Sequence, residues 1–227
     1  MTVTGPAYRS AVPVNRGSKS TMVTSRGRRS SLEQERSRRS RDALLDAAAD
    51  LWADAEVDEV KVEDICAHAG VSKGLFYFYF GSKEELVVQL LAEDARLVAD
   101  EVARGIEHDE PFADVLDAAL AAVVRRAQRR PRHLLRQGTG ELLADPATTA
   151  GDDDGSPLVA TCVDLVAHGQ ARGEVRDDAD PQDAGALLAT SILRAQLEWA
   201  GAERRQPSLA RRLAARVDLV VHGLAGR

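Results

Sequence analysis

Cysteine is scarce in this sequence of 227 residues, which contains only Cys66 and Cys162. The two lie far apart without a C-x-x-C spacing, so neither a disulfide framework nor a zinc site is indicated. No segment has the about 18 consecutive apolar residues that a membrane span requires, and the N-terminus lacks the apolar core of a signal peptide. We therefore expect a cytoplasmic protein that does not enter the membrane and holds neither a metal nor a cofactor.

Charge is distributed unevenly along the chain. The formal net charge is -6, yet residues 1–41 contain ten basic and two acidic side chains, so this segment is strongly positive and the remainder strongly negative. A basic arm on an acidic body is typical of proteins whose arm meets nucleic acid. Residues 1–37 are rich in Ser, Thr, Gly and Arg without apolar periodicity, which predicts a disordered arm. A solvated tail without a partner is the alternative, and Met22 is a second candidate start.

From Ser40 onward, apolar residues recur at the spacing of helices, and no alternating strand pattern interrupts them. The hydrophobic content of 44% is sufficient for a core. These features predict an all-α fold.

A helix-turn-helix is indicated between residues 62 and 80, VEDICAHAGVSKGLFYFYF. Gly70 suits a left-handed turn, and Ser72 can cap the following helix. On that helix, Phe76 and Phe80 are predicted to face the core, while Phe78 faces the opposite way. An outward aromatic face requires a partner, unless Phe78 packs sideways on the protein itself.

The remaining helices include one that is predicted to connect the helix-turn-helix to the rest of the chain and two that are predicted to form a self-association surface. Ser82 and Glu85 form a capping-box pattern at the start of a long helix that reaches about residue 105. The last two helices have broad apolar stripes, which favour a homodimer packed as a four-helix bundle. A monomer that buries these stripes internally is the alternative.

The segment AGVSKGLFYFYFGSKEEL, residues 69–86, resembles the TetR family of bacterial transcriptional regulators. The first helix, residues 41–53, is similar to the opening helix of that family. The resemblance implies a disordered basic arm (1–37), a three-helix helix-turn-helix DNA-binding domain (38–84) and a larger helical ligand-binding and dimerisation domain (85–227).

The resemblance also implies a function: a sequence-specific regulator, most simply a repressor that a small-molecule effector releases from a palindromic double-stranded operator. An activator of the same fold and a helical adaptor that binds protein in place of DNA are the alternatives. An enzyme is not expected, because the five histidines fall at no metal-binding spacing and no nucleophile elbow or phosphate-binding loop is present.

By position, the resemblance implies contacts to bases, sugars or phosphates. The predicted DNA-binding residues are Lys61, Ser72, Lys73, Gly74, Leu75, Tyr77, Phe78, Tyr79 and Lys83. The chain departs from the family pattern before the second helix, where Val60 and Lys61 replace a capping hydroxyl, and Lys61 is predicted to replace the lost phosphate contact. We further hypothesise that Arg36, Arg38, Arg39 and Arg41 follow the DNA backbone, and that Arg26, Arg28 and Arg29 reach a minor groove.

The effector pocket is harder to predict. The resemblance implies that it lies among the helices between residues 82 and 199. The candidate ligand-binding residues are Phe112, His133, His168 and Trp199, and an ordinary core or surface position is the alternative for each of them.

Overall fold

The computed structural model describes the backbone of residues 21–144, 156–202 and 207–224, and the side chains of 34–144, 156–202 and 207–223. These parts of the chain form helices without a strand, as the sequence predicts. The helices are α1 (Thr21–Asp54), α2 (Val62–Ala69), α3 (Lys73–Tyr79), α4 (Lys83–Glu107), α5 (Phe112–Ala127), α6 (Arg132–Ala144), α7 (Pro157–Ala171), α8 (Pro181–Gly201) and α9 (Leu209–Leu224).

Two compact units divide the chain, residues 1–40 and residues 41–227. Helix α1 begins at Thr21, so the disorder that was predicted through residue 37 is wrong from residue 21 onward, while residues 1–20 lie outside the described part. The arginine, glutamate and glutamine residues before Ser40 have favourable helix propensities. Arg39 and Glu35 also form a salt bridge of 2.5 Å at i, i+4 spacing, which supports a helix.

The head, which we define as residues 41–90, packs around aromatic rings. Trp52, Phe76 and Phe80 are almost completely buried, together with Leu44 and Ile65. Three short helical segments thereby share one core with the beginning of α4. That core fixes the orientation of α3.

The body, residues 91–224, contains a mainly aliphatic core to which all the helices from α4 to α9 contribute side chains. Its most deeply buried side chains include Val115, Val166, Leu188 and Leu213. No helix among the described residues combines the length and the apolar character that crossing a membrane would require.

Helix α6 links the head to the body. Its adjacent residues Leu134 and Leu135 are each 1% exposed, the first in the head core and the second in the body core. Four residues further on, α6 touches α4 so closely that a Cβ at Gly138 would lie 1.9 Å from Leu91 Cδ1 and 3.0 Å from Val87 Cγ1. Any larger residue here would force the side chains of Leu91 and Val87 to move.

Candidate nucleic-acid interface and effector cavity

Helix α2 begins without the capping hydroxyl, as the sequence indicates, but an acid replaces part of its role. The backbone N–H of Lys61 donates to Asp64 Oδ2 at 3.1 Å, while the Lys61 side chain makes no capping bond. Asp64 also places negative charge in the first turn, where the helix dipole favours it. The exposed Lys61 ammonium therefore has no part in the cap.

The turn between α2 and α3 has the predicted geometry. Gly70 has φ 67° and ψ 30°, in the left-handed region that glycine adopts readily. The next backbone N–H, of Val71, donates to Cys66 O at 3.0 Å. Ser72 Oγ then accepts a hydrogen bond of 3.3 Å from the N–H of Leu75, which confirms Ser72 as the N-cap of α3.

Helix α3 presents two aromatic residues to solvent. Phe76 and Phe80 are buried, whereas Phe78 is 74% and Tyr77 is 52% exposed. The predicted division of this helix into a core face and an outward face is confirmed. The rings of Phe78 and Tyr79 meet edge to face at a centroid distance of 5.1 Å, and among the described residues most of the apolar surface of Phe78 remains uncovered.

Lys73 stands beside these rings and is paired with an acid. Its Nζ forms a salt bridge with Glu63 of α2 and lies 5.9 Å from the centre of the Tyr77 ring. The hydrogen bond from Lys73 lowers the pKa of Glu63, and the same contact raises the pKa of Lys73. Any phosphate or base that approaches Lys73 must compete with Glu63.

Lys83 has a structural partner within the head. Its Nζ donates to the carbonyl oxygens of Val57 and Val60 at 2.8 Å and 2.9 Å, so it ties the loop before α2 to the start of α4. An ammonium has three donors, and one remains for the phosphate contact that the sequence predicts. Ser82 caps α4 as expected, by accepting from the N–H of Glu85 at 3.2 Å.

Of the arginines predicted to follow DNA, Arg41 is engaged inside its own unit. It donates to Gln89 Oε1 at 2.9 Å, lies 3.4 Å from a Glu93 oxygen and stacks 5.7 Å from the Phe80 ring centre. It therefore joins α1 to α4, and the DNA contact predicted for this residue would have to compete with these partners. Arg38 and Arg39 are exposed, and the side chains of Arg26, Arg28 and Arg29 lie outside the described part.

A cavity of about 400 Å³ lies in the body between α4, α5, α6, α7 and α8. Its wall is mostly aliphatic and includes Leu91, Val98, Val123, Leu135 and Leu193. Two helices of its wall, α4 and α6, also contribute side chains to the head core. A molecule in this cavity would therefore touch the elements that position the head.

None of the four predicted ligand-binding residues lines this cavity, whereas His168 lines a second, more open cavity of about 540 Å³. Phe112 is buried in the body core, and His133 Nδ1 lies 3.7 Å from Glu56 of the head. His168 Nε2 lies 2.8 Å from Glu110 O, and the Trp199 ring lies 4.3 Å beneath the Arg132 guanidinium. Histidines and aromatic rings are conspicuous in a sequence, whereas a void between aliphatic side chains leaves no local pattern.

One residue of the cavity did leave a signal in the sequence. Gln196 is only 9% exposed and lies on α8 one turn after Ile192, within the apolar stripe. A polar side chain at a core position indicates a partner or a ligand. Among the described residues, no group of three or more His, Cys, Asp or Glu side chains could hold a metal ion.

The two C-terminal helices expose large aliphatic side chains. Leu187 on α8 is 55% exposed and Leu219 on α9 is 77% exposed. These two leucines lie on neighbouring helices that otherwise bury their apolar stripe.

Comparison with known proteins shows what these features are similar to. Residues 44–90 match the sequence pattern of the family described as "Bacterial regulatory proteins, tetR family". The A-factor receptor protein of Streptomyces griseus is 24% identical over 68% of this chain, and the match spans 53% of that protein, about half its length. The transcriptional repressor BepR of Brucella suis is 22% identical over 81% of this chain and 86% of its own.

Solved structures share the fold. The TetR-family repressor FadR of Thermus thermophilus, crystallised with lauroyl-CoA, superimposes with a TM-score of 0.70 at 23% identity, over 82% of this chain and 96% of FadR. The similarity includes both the helix-turn-helix and the helical body, which is the all-α architecture predicted from the sequence.

Proposed function

Since this chain belongs to the TetR family of bacterial regulatory proteins, we propose that it is a transcriptional repressor that binds a palindromic operator as a homodimer and releases it when a small molecule enters the cavity. The observation that carries the proposal is the uncovered aromatic face of α3, with Phe78 74% exposed at its centre. A buried face locks this helix in place, and the opposite face is free to enter a major groove.

The DNA contacts divide by chemistry. Leu75 and Phe78 offer apolar surface to thymine methyl groups, which are weaker discriminators than a bidentate arginine. Donors to phosphates come from side chains and from helix ends. The side chains are Lys61, Lys73, Tyr77, Tyr79 and Lys83, and the helix ends are the N-terminal ends of α3, with Ser72 and Gly74, and of α4. Because the head is rich in acids, these few donors supply most of its attraction to DNA, and the exposed Arg38 and Arg39 before it are further candidate contacts.

Dimerisation would place the two α3 helices, which we call the reading helices, about 34–36 Å apart, which is one turn of DNA. Leu187 and Leu219 lie on α8 and α9, where a four-helix bundle with the same pair of a second subunit would cover them. A two-fold dimer of this kind matches the symmetry of a palindromic operator.

Release follows from linkage. A ligand that binds more tightly to the body when the reading helices are wrongly spaced lowers the affinity for DNA by the same factor. Helices α4 and α6 are the physical connection, since both line the cavity and both contribute to the head core. The lauroyl-CoA complex of FadR and the A-factor receptor protein support a small-molecule effector by analogy.

The test begins with selection of bound sequences from random double-stranded DNA by the full chain. A palindromic site, bound by a dimer in analytical ultracentrifugation, is the expected result. Phe78→Ala should lower the affinity for that site at least tenfold without loss of thermal stability, because the ring is exposed. Leu219→Ala, at an exposed leucine of the body, should keep the fold of the monomer but weaken the dimer, and with it the binding of the palindromic site.

Failure to enrich any sequence would contradict the proposal and favour a helical adaptor. Placing the selected site either across or upstream of a reporter promoter then separates repression from activation, because a repressor lowers transcription and an activator raises it.

A further inference from the structure

The polar side chains around the cavity differ in whether they already have partners. Asp94 accepts two hydrogen bonds from Arg130, of 2.8 Å and 3.3 Å, and both side chains are largely buried. Gln89 accepts the hydrogen bond from Arg41. Asp94 is the one acid in the described lining, and its charge is compensated within the protein.

Three more polar side chains line the cavity, those of Arg96, Arg126 and Gln196. They differ from Asp94 and Gln89 in their partners. Within residues 34–144, 156–202 and 207–223, neither guanidinium has a salt bridge or a hydrogen bond, and the Gln196 amide has no hydrogen-bond partner. Arg96 is exposed on α4, whereas Arg126 is half-buried in the last turn of α5. Among the described residues, the cavity lining therefore offers two guanidinium groups and one amide without a protein partner, and its one acid, Asp94, is already paired.

This combination determines which ligands are favoured. The Gln196 amide lines the cavity without a partner among the described residues, so a ligand with a polar atom can form a hydrogen bond with it. Guanidinium groups bind carboxylates and phosphates through paired, charge-assisted hydrogen bonds. The volume of about 400 Å³ falls within the range of about 300–1,000 Å³ in which small organic ligands bind.

We propose that the effector is an amphipathic organic anion. Its apolar body fills the aliphatic cavity, Arg126 and Arg96 bind its anionic group, and the Gln196 amide bonds a polar atom of the ligand. A carboxylate is the simplest such group. This inference rests on the proposed function only in treating the cavity as the effector site.

The test is calorimetric titration of the full chain, without DNA, against two matched sets of probes. The first set is dodecanoate, dodecan-1-ol and dodecylamine, and the second is 2-naphthoate, 2-naphthol and 2-naphthylmethylamine. We expect the carboxylate of at least one set to bind ten times more tightly than its neutral and cationic analogues, with affinity that falls as salt is raised. Equal binding within both sets, a preference for the alcohol or amine, or no binding would overturn the proposal.

Two variants then locate the anion. Arg126→Ala should reduce the carboxylate affinity about tenfold, to that of the alcohol, and leave the alcohol affinity unchanged. Arg125→Ala is the matched control, since Arg125 is the preceding residue of α5, is exposed and does not line the cavity. Arg96→Ala, at an exposed position, is the second variant should Arg126→Ala fail to fold, and it too should weaken the carboxylate. Equal effects of Arg125→Ala and Arg126→Ala would place the anion elsewhere and overturn the assignment.

Operator binding, measured separately, distinguishes this inference from the proposed function. If the protein binds the carboxylate through Arg126 but stays bound to its operator, the proposed ligand class is supported and the proposed release of DNA is contradicted. A chain that binds no operator contradicts the repressor and leaves the titrations valid.

Discussion

The head and the body of this protein are packed in different ways. The three largest fully buried side chains, Trp52, Phe76 and Phe80, all belong to the head core. The body core consists mainly of leucine, valine and alanine and surrounds a cavity of about 400 Å³. Atoms beside a void lack dispersion contacts on one side, so the cavity makes the body less stable than a filled core would be. It also leaves a space that a ligand can fill. The head, which must hold α3 in one orientation, has its rings enclosed.

The largest expected difference between head and body is in the free energy of unfolding that is lost when one core residue of each is truncated to alanine. Phe76→Ala should lower the free energy of unfolding by about 3–5 kcal/mol, because it leaves a new void in an enclosed core. Leu193→Ala, at the wall of the existing cavity, should cost about 2–3 kcal/mol, since it enlarges a space that is already present. Urea denaturation at one protein concentration measures both, and an equal or larger loss for Leu193→Ala would contradict the comparison.

The junction between the regions should respond next most strongly. Gly138→Ala places a Cβ against Leu91 and Val87, which must move, so we expect a loss of about 1–3 kcal/mol in unfolding free energy and altered operator affinity. Gly140→Ala is the matched control on α6, because nothing lies within 4 Å of its Cβ. It should stabilise the protein by about 0.5–1 kcal/mol through helix propensity. Similar effects of the two changes would show that the α4–α6 contact is not tight.

A smaller effect is expected from the charge pair on the surface of the head. Glu63→Gln frees Lys73, so operator affinity should rise about two- to fivefold, in line with the strength of exposed ion pairs. The dependence on salt should become steeper, because one more cation is available to a phosphate. Glu107→Gln, an equal charge change on the body, is the control and should leave the affinity unchanged. A fall in affinity on Glu63→Gln would indicate that the pair orients Lys73 for DNA.

The smallest effect concerns a charge pair of the body. Glu174 Oε2 accepts a hydrogen bond of 2.6 Å from the N–H of Phe112 at the start of α5. This bond, and then the contact with Arg172, lowers the pKa of Glu174 from its usual 4.5. The carboxylate thus stabilises the fold above pH 4.5, and that contribution is lost as the pH falls through the lowered folded-state pKa.

Glu174→Gln should therefore make the protein less stable at pH 7 and flatten the fall in unfolding free energy below pH 4.5. Thermal melts at pH 7 and pH 3.5 measure this, and Glu141→Gln, an exposed glutamate of α6, is the control. A pH profile that Glu174→Gln leaves unchanged would remove this carboxylate from the stability of α5.

Much of the head follows from short-range rules and can be predicted from its residues. Gly70, Ser72 and Ser82 specify a turn and two caps by their own backbone and side-chain chemistry. The spacing of Phe76, Phe78 and Phe80 assigns one face of α3 to the core and the opposite face to solvent, since a helix of 3.6 residues per turn cannot bury all three. These features depend on residues a few positions apart, and each matches the structure.

The partners of the charged side chains do not follow from such rules. Lys83 donates to Val57 and Val60, and Arg41 bonds Gln89, over separations of more than 20 residues. The cavity is likewise formed by five helices whose aliphatic side chains look like any other core in the sequence. Local chemistry thus determined the helices, their caps and the outward aromatic face of α3. Which charges are already paired, and where the core is left hollow, depends on how helices distant in sequence pack against one another.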